Sequence, residues 1–116
     1  MKKHFIHVLL AQFLVIAAHA FTGTKQINGI YYTNSSGQNL IVVNGDELYS
    51  GTVNIPTTLE YEGTTYNVTA IAAQAFLNCI HLSAVNIGDS VRTIGYRAFY
   101  GCEDLTEITI PDAIIS

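Results

Sequence analysis

Residues 68–90 read VTAIAAQAFLNCIHLSAVNIGDS, and residues 91–113 read VRTIGYRAFYGCEDLTEITIPDA, so the second segment repeats the first at a 23-residue offset without a gap. The identical positions are Val68/Val91, Ile71/Ile94, Ala75/Ala98, Phe76/Phe99, Cys79/Cys102, Leu82/Leu105, Ile87/Ile110 and Asp89/Asp112. Apolar positions recur while most intervening positions change. This pattern predicts a solenoid, in which equivalent side chains stack into one continuous core.

The repeat length and its strand stretch indicate the class of solenoid. Residues 82–87 and 105–110 both follow Leu-x-x-Val/Ile-x-Ile, which is typical of the strand of a leucine-rich repeat. Ankyrin, tetratricopeptide and HEAT units are longer. We therefore expect parallel strands with short helical turns between them, and Val85 and Ile87 beside Ile108 and Ile110.

The two units closely resemble the BspA-like leucine-rich repeats of bacterial surface proteins, with the pattern V-x-x-I-x-x-x-A-F-x-x-C-x-x-L-x-x-I-x-I-P-x-x-V. The second unit carries it through Val91, Ile94, Ala98, Phe99, Cys102, Leu105, Ile108, Ile110, Pro111 and Ile114. The first unit departs from it at Gly88, where the family usually has proline. A signal peptide and a YSG-x-V-x-IP stretch, present here at residues 49–56, are also typical of the family. The resemblance implies a surface adhesin that binds host proteins or other cells.

The N-terminus has the layout of a secretory signal peptide. Two lysines at residues 2–3 precede an apolar run over residues 5–18, and residues 18–20 read Ala-His-Ala, a small-x-small cleavage site. A membrane-spanning helix needs about 20 apolar residues, and this run is shorter and is interrupted by polar side chains. We expect cleavage after Ala20, no transmembrane segment afterwards, and a secreted or cell-surface protein.

Between the predicted signal and the repeats, the pattern is that of strands and turns. Turn residues at 34–37, at Asn44-Gly45 and around Gly63 separate short β-branched and aromatic runs. Asn44-Gly45 favours a tight hairpin, because both residues tolerate positive φ. The expected fold is mostly β: a β-hairpin segment at residues 21–67, then a short leucine-rich-repeat solenoid at 68–116. That solenoid comprises units 68–90 and 91–113 and the start of a third at Ile114.

The charge pattern excludes one class of partner. Outside the predicted signal, only Lys25, Arg92 and Arg97 are basic, against nine acidic residues. Nucleic-acid binding needs several cations on one face, so we expect no nucleic-acid partner.

Candidate catalytic groups are few. His81 is the one histidine outside the predicted signal, so a nucleophilic triad or a zinc site would have to depend on it. Two groups of acidic residues could supply the paired carboxylates of a glycosidase: Glu60 with Glu62, and the cluster of Glu103, Asp104 and Glu107. Alternating acids on a hairpin edge commonly have another role, since they discourage edge-to-edge pairing. We expect no enzymatic activity, no catalytic residue, no cofactor and no metal.

Two further groups have alternative interpretations. Five tyrosines, Tyr31, Tyr32, Tyr49, Tyr61 and Tyr66, are either a sugar- or peptide-stacking platform or ordinary strand residues, and their spacing favours the latter. Cys79 and Cys102 are either a disulfide or two thiols stacked at the same repeat position. Parallel side chains favour buried free thiols.

The predicted binding face consists of the strand residues that lie between core positions: Ala84 and Asn86 in one unit, Glu107 and Thr109 in the next. The expected function is protein–protein interaction or adhesion at a cell surface, with a host or other cell-surface protein, or a glycan, as partner. The alternative is a truncated relative without activity of its own, because a third unit only begins at Ile114. The open last unit also predicts self-association.

Overall fold

The computed structural model describes residues 20–114. The predicted signal peptide therefore lies outside the described residues except for Ala20. The strands are β1 (Lys25–Ile27), β2 (Ile30–Ser36), β3 (Asn39–Val43), β4 (Gly51–Ile55), β5 (Thr58–Tyr61), β6 (Thr64–Ile71), β7 (Leu82–Ile87), β8 (Thr93–Ile94) and β9 (Glu107–Thr109).

The predicted short helical turns are wrong, because residues 20–114 contain no helix. Residues 72–80 and 95–104 instead form consecutive turns, closed by hydrogen bonds such as Cys79 N–H to Phe76 O and Cys102 N–H to Phe99 O. Left-handed backbone at equivalent positions, Gln74 and Arg97, interrupts any helical run. It follows too that no described helix could cross a membrane.

The front sheet consists of β4, β7 and β9, all parallel. Val53 pairs with Val85, and Val85 pairs with Ile108. The predicted parallel neighbours are thus confirmed, with Ile110 just beyond the end of β9.

A second parallel ladder lies in the other sheet, where β6 lies between β3 and β8. Val42 pairs with Ile71, which pairs with Ile94. The chain therefore makes three coils, each with one strand in each sheet: β3 with β4, β6 with β7, and β8 with β9. The second coil extends over residues 64–87 and the third over residues 93–109, and the first comes from residues 39–55 of the β-rich segment.

The N-terminal strands cover the first coil. β2 pairs antiparallel with β3, and β1 pairs antiparallel with β2. β5 pairs antiparallel with β6 through a turn at Glu62-Gly63, where both residues have positive φ. The predicted hairpin at Asn44-Gly45 is wrong, since the chain there crosses from β3 to the front sheet. A Cβ at Gly45 would collide with the Tyr31 ring, so the glycine permits this close crossing.

Stacked apolar side chains fill the space between the sheets. Leu40, Val68 and Val91 are completely buried: Leu40 pairs with Val68 between β3 and β6, and Val91, two residues before β8, occupies the repeat position of Val68. Phe76 is completely buried and stacks on Phe99, which is half-buried. Equivalent positions in successive coils thus share one core, as the repeat predicts.

Candidate recognition surface

Side-chain alternation along the front sheet creates one buried face and one exposed face. Val53, Val85 and Ile87 are buried in the core, whereas Thr52, Asn54 and Asn86 between them are exposed. Successive residues of a strand point to opposite faces of the sheet. The residues that alternate with the core positions therefore face outward.

The register aligns these outward residues in two rows across the three strands. One row is Thr52, Ala84 and Glu107, and the other is Asn54, Asn86 and Thr109. We call these six residues the front face. The structure brings together all four predicted face residues, Ala84, Asn86, Glu107 and Thr109, and three of them are exposed while Ala84 is half-buried.

Two members of the front face, Thr52 and Asn54, are missing from the sequence prediction. Asn86 Nδ2 donates a hydrogen bond of 2.6 Å to Asn54 Oδ1, so the first coil is joined to the row. The sequence does contain evidence for these two residues, because the tripeptide Val-Asn-Ile occurs at both 53–55 and 85–87. These copies are 32 residues apart because β5 and its turn lie between them. They therefore do not align at the 23-residue period of the other two units.

The front face is polar and carries one charge, the carboxylate of Glu107. Its amide and hydroxyl groups recur at the spacing of adjacent strands, about 4.8 Å. Parallel pairing of the strands fixes that spacing. Such a surface can offer hydrogen bonds in a regular row to a flat or extended partner.

A groove of about 580 Å³ lies beside the front face, between the turn at Asn28-Gly29 and β4. Thr52 and Asn54 contribute to its lining. Leu48, which also lines the groove, is largely exposed. The groove therefore extends the accessible surface beyond the first coil.

The acidic residues do not form an enclosed site. His81 Nδ1 lies 3.8 Å from Asp104 Oδ2, and both side chains are largely exposed. Thr65 Oγ1 donates to Glu60 on exposed strand surface, and Glu62 lies in the following turn. Across residues 20–114, no three His, Cys, Asp or Glu side chains are grouped so that they could hold a metal ion.

Both cysteines are free thiols, as the repeat position favours. Cys79 is buried, whereas Cys102 is half-buried and its Sγ donates to Phe76 O at 3.0 Å. Burial raises the pKa of both thiols. A protonated thiol is a poor nucleophile and metal ligand, so the pair behaves as part of the core.

The five N-terminal tyrosines do not form a stacking platform. Tyr31, Tyr32, Tyr49 and Tyr66 are buried, and Tyr61 is half-buried. Tyr49 connects two elements, because its hydroxyl donates to Val43 O at 2.6 Å and accepts from Tyr31 N–H at 2.9 Å. These side chains belong to the core, as the alternative interpretation from strand spacing predicts.

Three coils, two parallel ladders and stacked apolar repeat positions define a short leucine-rich-repeat solenoid. Residues 45–116 match the family described as BspA type leucine rich repeat region (6 copies). The chain belongs to this family. The match begins before β4, in agreement with a first coil that precedes the 23-residue units.

The chain is similar to several bacterial leucine-rich repeat proteins of known structure. A leucine-rich repeat protein from Bacteroides ovatus is 32% identical, with a TM-score of 0.71, and the match covers 78% of this chain and 24% of that one. A leucine-rich repeat protein from Bacteroides capillosus is 27% identical, with a TM-score of 0.70, covering 79% of this chain and 68% of that one.

A leucine rich cell surface protein from Faecalibacterium prausnitzii is 23% identical with a TM-score of 0.65, covering 81% of this chain and 25% of that one, and shows the fold alone. The chain thus spans about a quarter of the Bacteroides ovatus and Faecalibacterium proteins. The search of curated proteins finds no match.

Proposed function

We propose that this protein is an exported, non-catalytic recognition module of a bacterial cell surface, which binds a protein on a host cell through its front face. The observation that supports this is the register of β4, β7 and β9, which aligns six outward side chains in two rows. Leucine-rich-repeat proteins are protein-interaction modules, and a stacked sheet provides an extended, regular binding surface.

The polar character of the front face favours a protein partner. Protein interfaces combine polar groups with about one hydrogen bond per 100–200 Å². Asn54, Asn86 and Thr109 supply donors and acceptors in one row, and Glu107 adds a single charge. An extended segment laid along this row could pair with each coil in turn.

Export is supported by residues 1–20, which have the charge, apolar run and cleavage pattern of a signal peptide. Expression of the whole chain in a bacterium, followed by N-terminal sequencing of the culture medium and surface fractions, tests it. Export predicts a protein that begins at Phe21. A protein that stays in the cytoplasm and begins at Met1 would refute export without affecting the binding proposal.

Binding is tested with beads coated with the purified protein and incubated with cultured epithelial cells. Asn86→Lys places a long cation in the middle of the front face and removes the bond to Asn54. Gln38→Lys makes the same charge change at an exposed turn remote in sequence from the front strands. We expect Asn86→Lys to lower bead retention severalfold and Gln38→Lys to leave it unchanged.

Pretreatment of the cells distinguishes the partner class. Protease treatment should abolish the part of the retention that Asn86→Lys removes, while glycosidase treatment should leave that part intact. Equal retention by wild type and Asn86→Lys would refute the front face as the binding surface. Hydrolysis of any substrate in a broad glycan and peptide screen, retained after repurification, would refute the non-catalytic assignment.

A further inference from the structure

A second surface lies on the turns between β8 and β9, where Tyr96, Arg97 and Tyr100 form an exposed cluster. Tyr96 is 70% exposed and Tyr100 is 58% exposed. The Arg97 guanidinium carbon lies 5.0 Å from the centroid of the Tyr96 ring and 4.9 Å from that of the Tyr100 ring. Two aromatic rings thus hold one cation in place.

The repeat itself indicates that a stacked coil would leave most of this cluster accessible. Ala73 and Gln74 occupy the positions of Tyr96 and Arg97 in the second coil, on which the third coil is stacked through Gln74 N–H to Tyr96 O. Both Ala73 and Gln74 remain exposed there. Exposure of Tyr96 and Arg97 is therefore a property of the repeat position and not of an uncovered end.

Arg97 has unused hydrogen-bonding capacity. The Arg92 guanidinium donates to the carbonyls of Asp89 and Val91. In contrast, the Arg97 guanidinium has neither a carboxylate nor a hydrogen-bond acceptor within residues 20–114. A planar guanidinium packed against aromatic rings keeps its N–H groups available for two parallel bonds to a carboxylate.

The overall charge restricts the ligand. With three basic and nine acidic residues outside the predicted signal, the chain repels a dense polyanion. A single carboxylate beside an apolar surface, in contrast, matches one cation between two rings. The ligand is therefore expected to have one charge and a flat, weakly polar face.

The backbone around the cluster argues for a sugar over a peptide. Residues 95–104 contain no strand, and the carbonyls of Tyr96, Ala98 and Tyr100 already accept bonds from the second coil. An extended peptide that binds by strand addition pairs with both free N–H and free C=O groups along an edge, and these carbonyls of the segment are already occupied. A saturated sugar ring can pack on a tyrosine ring through its C–H groups alone.

We propose that Tyr96, Arg97 and Tyr100 bind an acidic monosaccharide unit of a glycan, such as a uronic or sialic acid, with the sugar carboxylate on Arg97 and the sugar ring on tyrosine. This site is separate from the front face and does not depend on the function proposed for it.

The test uses calorimetric titration of the purified protein with 3′-sialyllactose and with methyl glucuronide. Their methyl esters retain the sugar rings without the charge. Arg97→Gln, Tyr96→Ala and Tyr100→Leu introduce the residues that already occupy these positions in the second coil, so the backbone, including the positive φ shared by Gln74 and Arg97, is expected to accept them. Arg92→Gln, which removes the other arginine of this coil, is the matched control.

We expect at least one acidic sugar to bind, its methyl ester to bind about tenfold more weakly, and Arg97→Gln to cause a similar loss, as for a charged bidentate hydrogen bond. Tyr96→Ala and Tyr100→Leu should weaken binding severalfold, while Arg92→Gln and Asn86→Lys should leave it within twofold. Equal binding by wild type and Arg97→Gln, or no saturable binding, would overturn the proposal. So would tighter binding of a glutamate-containing pentapeptide than of either sugar, which would assign the cluster to acidic peptides.

Discussion

Phe76 and Phe99 lie one above the other, with ring centroids 5.1 Å apart and ring planes inclined by 11°. They occupy the same position in consecutive units. Tyr49 covers the other side of Phe76, at 4.5 Å between centroids. Among the described residues no aromatic ring covers the far side of Phe99, which explains why Phe76 is completely buried and Phe99 only half-buried.

This difference predicts unequal costs of truncation. Phe76→Ala should lower the free energy of unfolding by about 3–5 kcal/mol, the usual range for a buried aromatic residue. Phe99→Ala should cost about half as much, because less apolar surface leaves water when Phe99 packs. Urea unfolding of both variants, followed by circular dichroism, measures the two losses. A loss for Phe99→Ala equal to that for Phe76→Ala would contradict the half-buried position.

Tyr49 lies between β3 and β4, in the segment 44–50 that crosses to the front sheet, and its hydroxyl joins this segment to β2 and β3. Loss of the hydroxyl should therefore destabilise the protein. Tyr49→Phe leaves the carbonyl of Val43 and the N–H of Tyr31 without this partner. A buried group left unpaired costs about 1–3 kcal/mol. Tyr66→Phe is the matched control, since Tyr66 is also a buried residue but its hydroxyl makes no hydrogen bond within residues 20–114. Equal midpoints in urea for the two variants would argue against the proposed role of the Tyr49 hydroxyl.

Stability should fall at alkaline pH. Burial raises the pKa of Tyr32 to about 12 and also raises the pKa of Tyr49, while the pKa of tyrosine in an unfolded chain is about 10. Below pH 10 both phenols are neutral in both states, so their contribution to stability is fully present. Between pH 10 and 12 the unfolded chain releases protons that the folded chain retains, so the free energy of unfolding decreases as pH rises.

Urea unfolding at a series of pH values from 8 to 12 measures this decrease. Tyr32→Phe removes one of the two groups and should make the decrease shallower. Tyr96→Phe, which removes a phenol from an exposed position, is the control. A decrease that Tyr32→Phe leaves unchanged would show that Tyr32 does not retain its proton in the folded protein.

The repeat predicted the parallel strands, the stacked core and the four outward residues, because alternation in a strand and identity at a fixed period are both readable from sequence. The same patterns did not predict the first coil. The strands of its two ladders, β3 and β4, lie in the segment interpreted as hairpins, and its Val-Asn-Ile copy is displaced from the 23-residue period by β5. Asn44-Gly45 favours a tight turn locally, but tertiary packing of Tyr31 over Gly45 determines a crossing instead.

The exposed cluster of Tyr96, Arg97 and Tyr100 was not predicted either. Five of the tyrosines lie in the N-terminal segment, but the exposure of a tyrosine depends on its position within the coil. Tyr96 and Tyr100 replace Ala73 and Leu77 at equivalent positions. A comparison of the two units for exposed positions that gain aromatic rings would have indicated the cluster.

The outer edge of β9 predicts self-association of the 116-residue chain. Val85 is completely buried, but its partner in the next strand, Ile108, is 37% exposed. Ile87 is 6% exposed, and Ile110 at the same repeat position is 53% exposed. Within residues 20–114 no strand pairs with the far side of β9, and an unpaired strand with apolar side chains is a template for another chain.

Sedimentation velocity over a hundredfold range of concentration should therefore show a reversible increase in mass. Ile110→Lys should suppress the association, because a charge at the edge cannot be buried against a second copy without a partner. Leu48→Lys introduces the same charge at an exposed apolar residue beside β4 and should leave association unchanged. A further in-phase unit added after residue 113 should cover Ile108 and Ile110 and raise the urea midpoint. If the 116-residue chain sediments as a monomer at the highest concentration and the added unit does not raise the midpoint, the three coils and the β1–β2 hairpin are sufficient for stability, and the edge of β9 is not an association site.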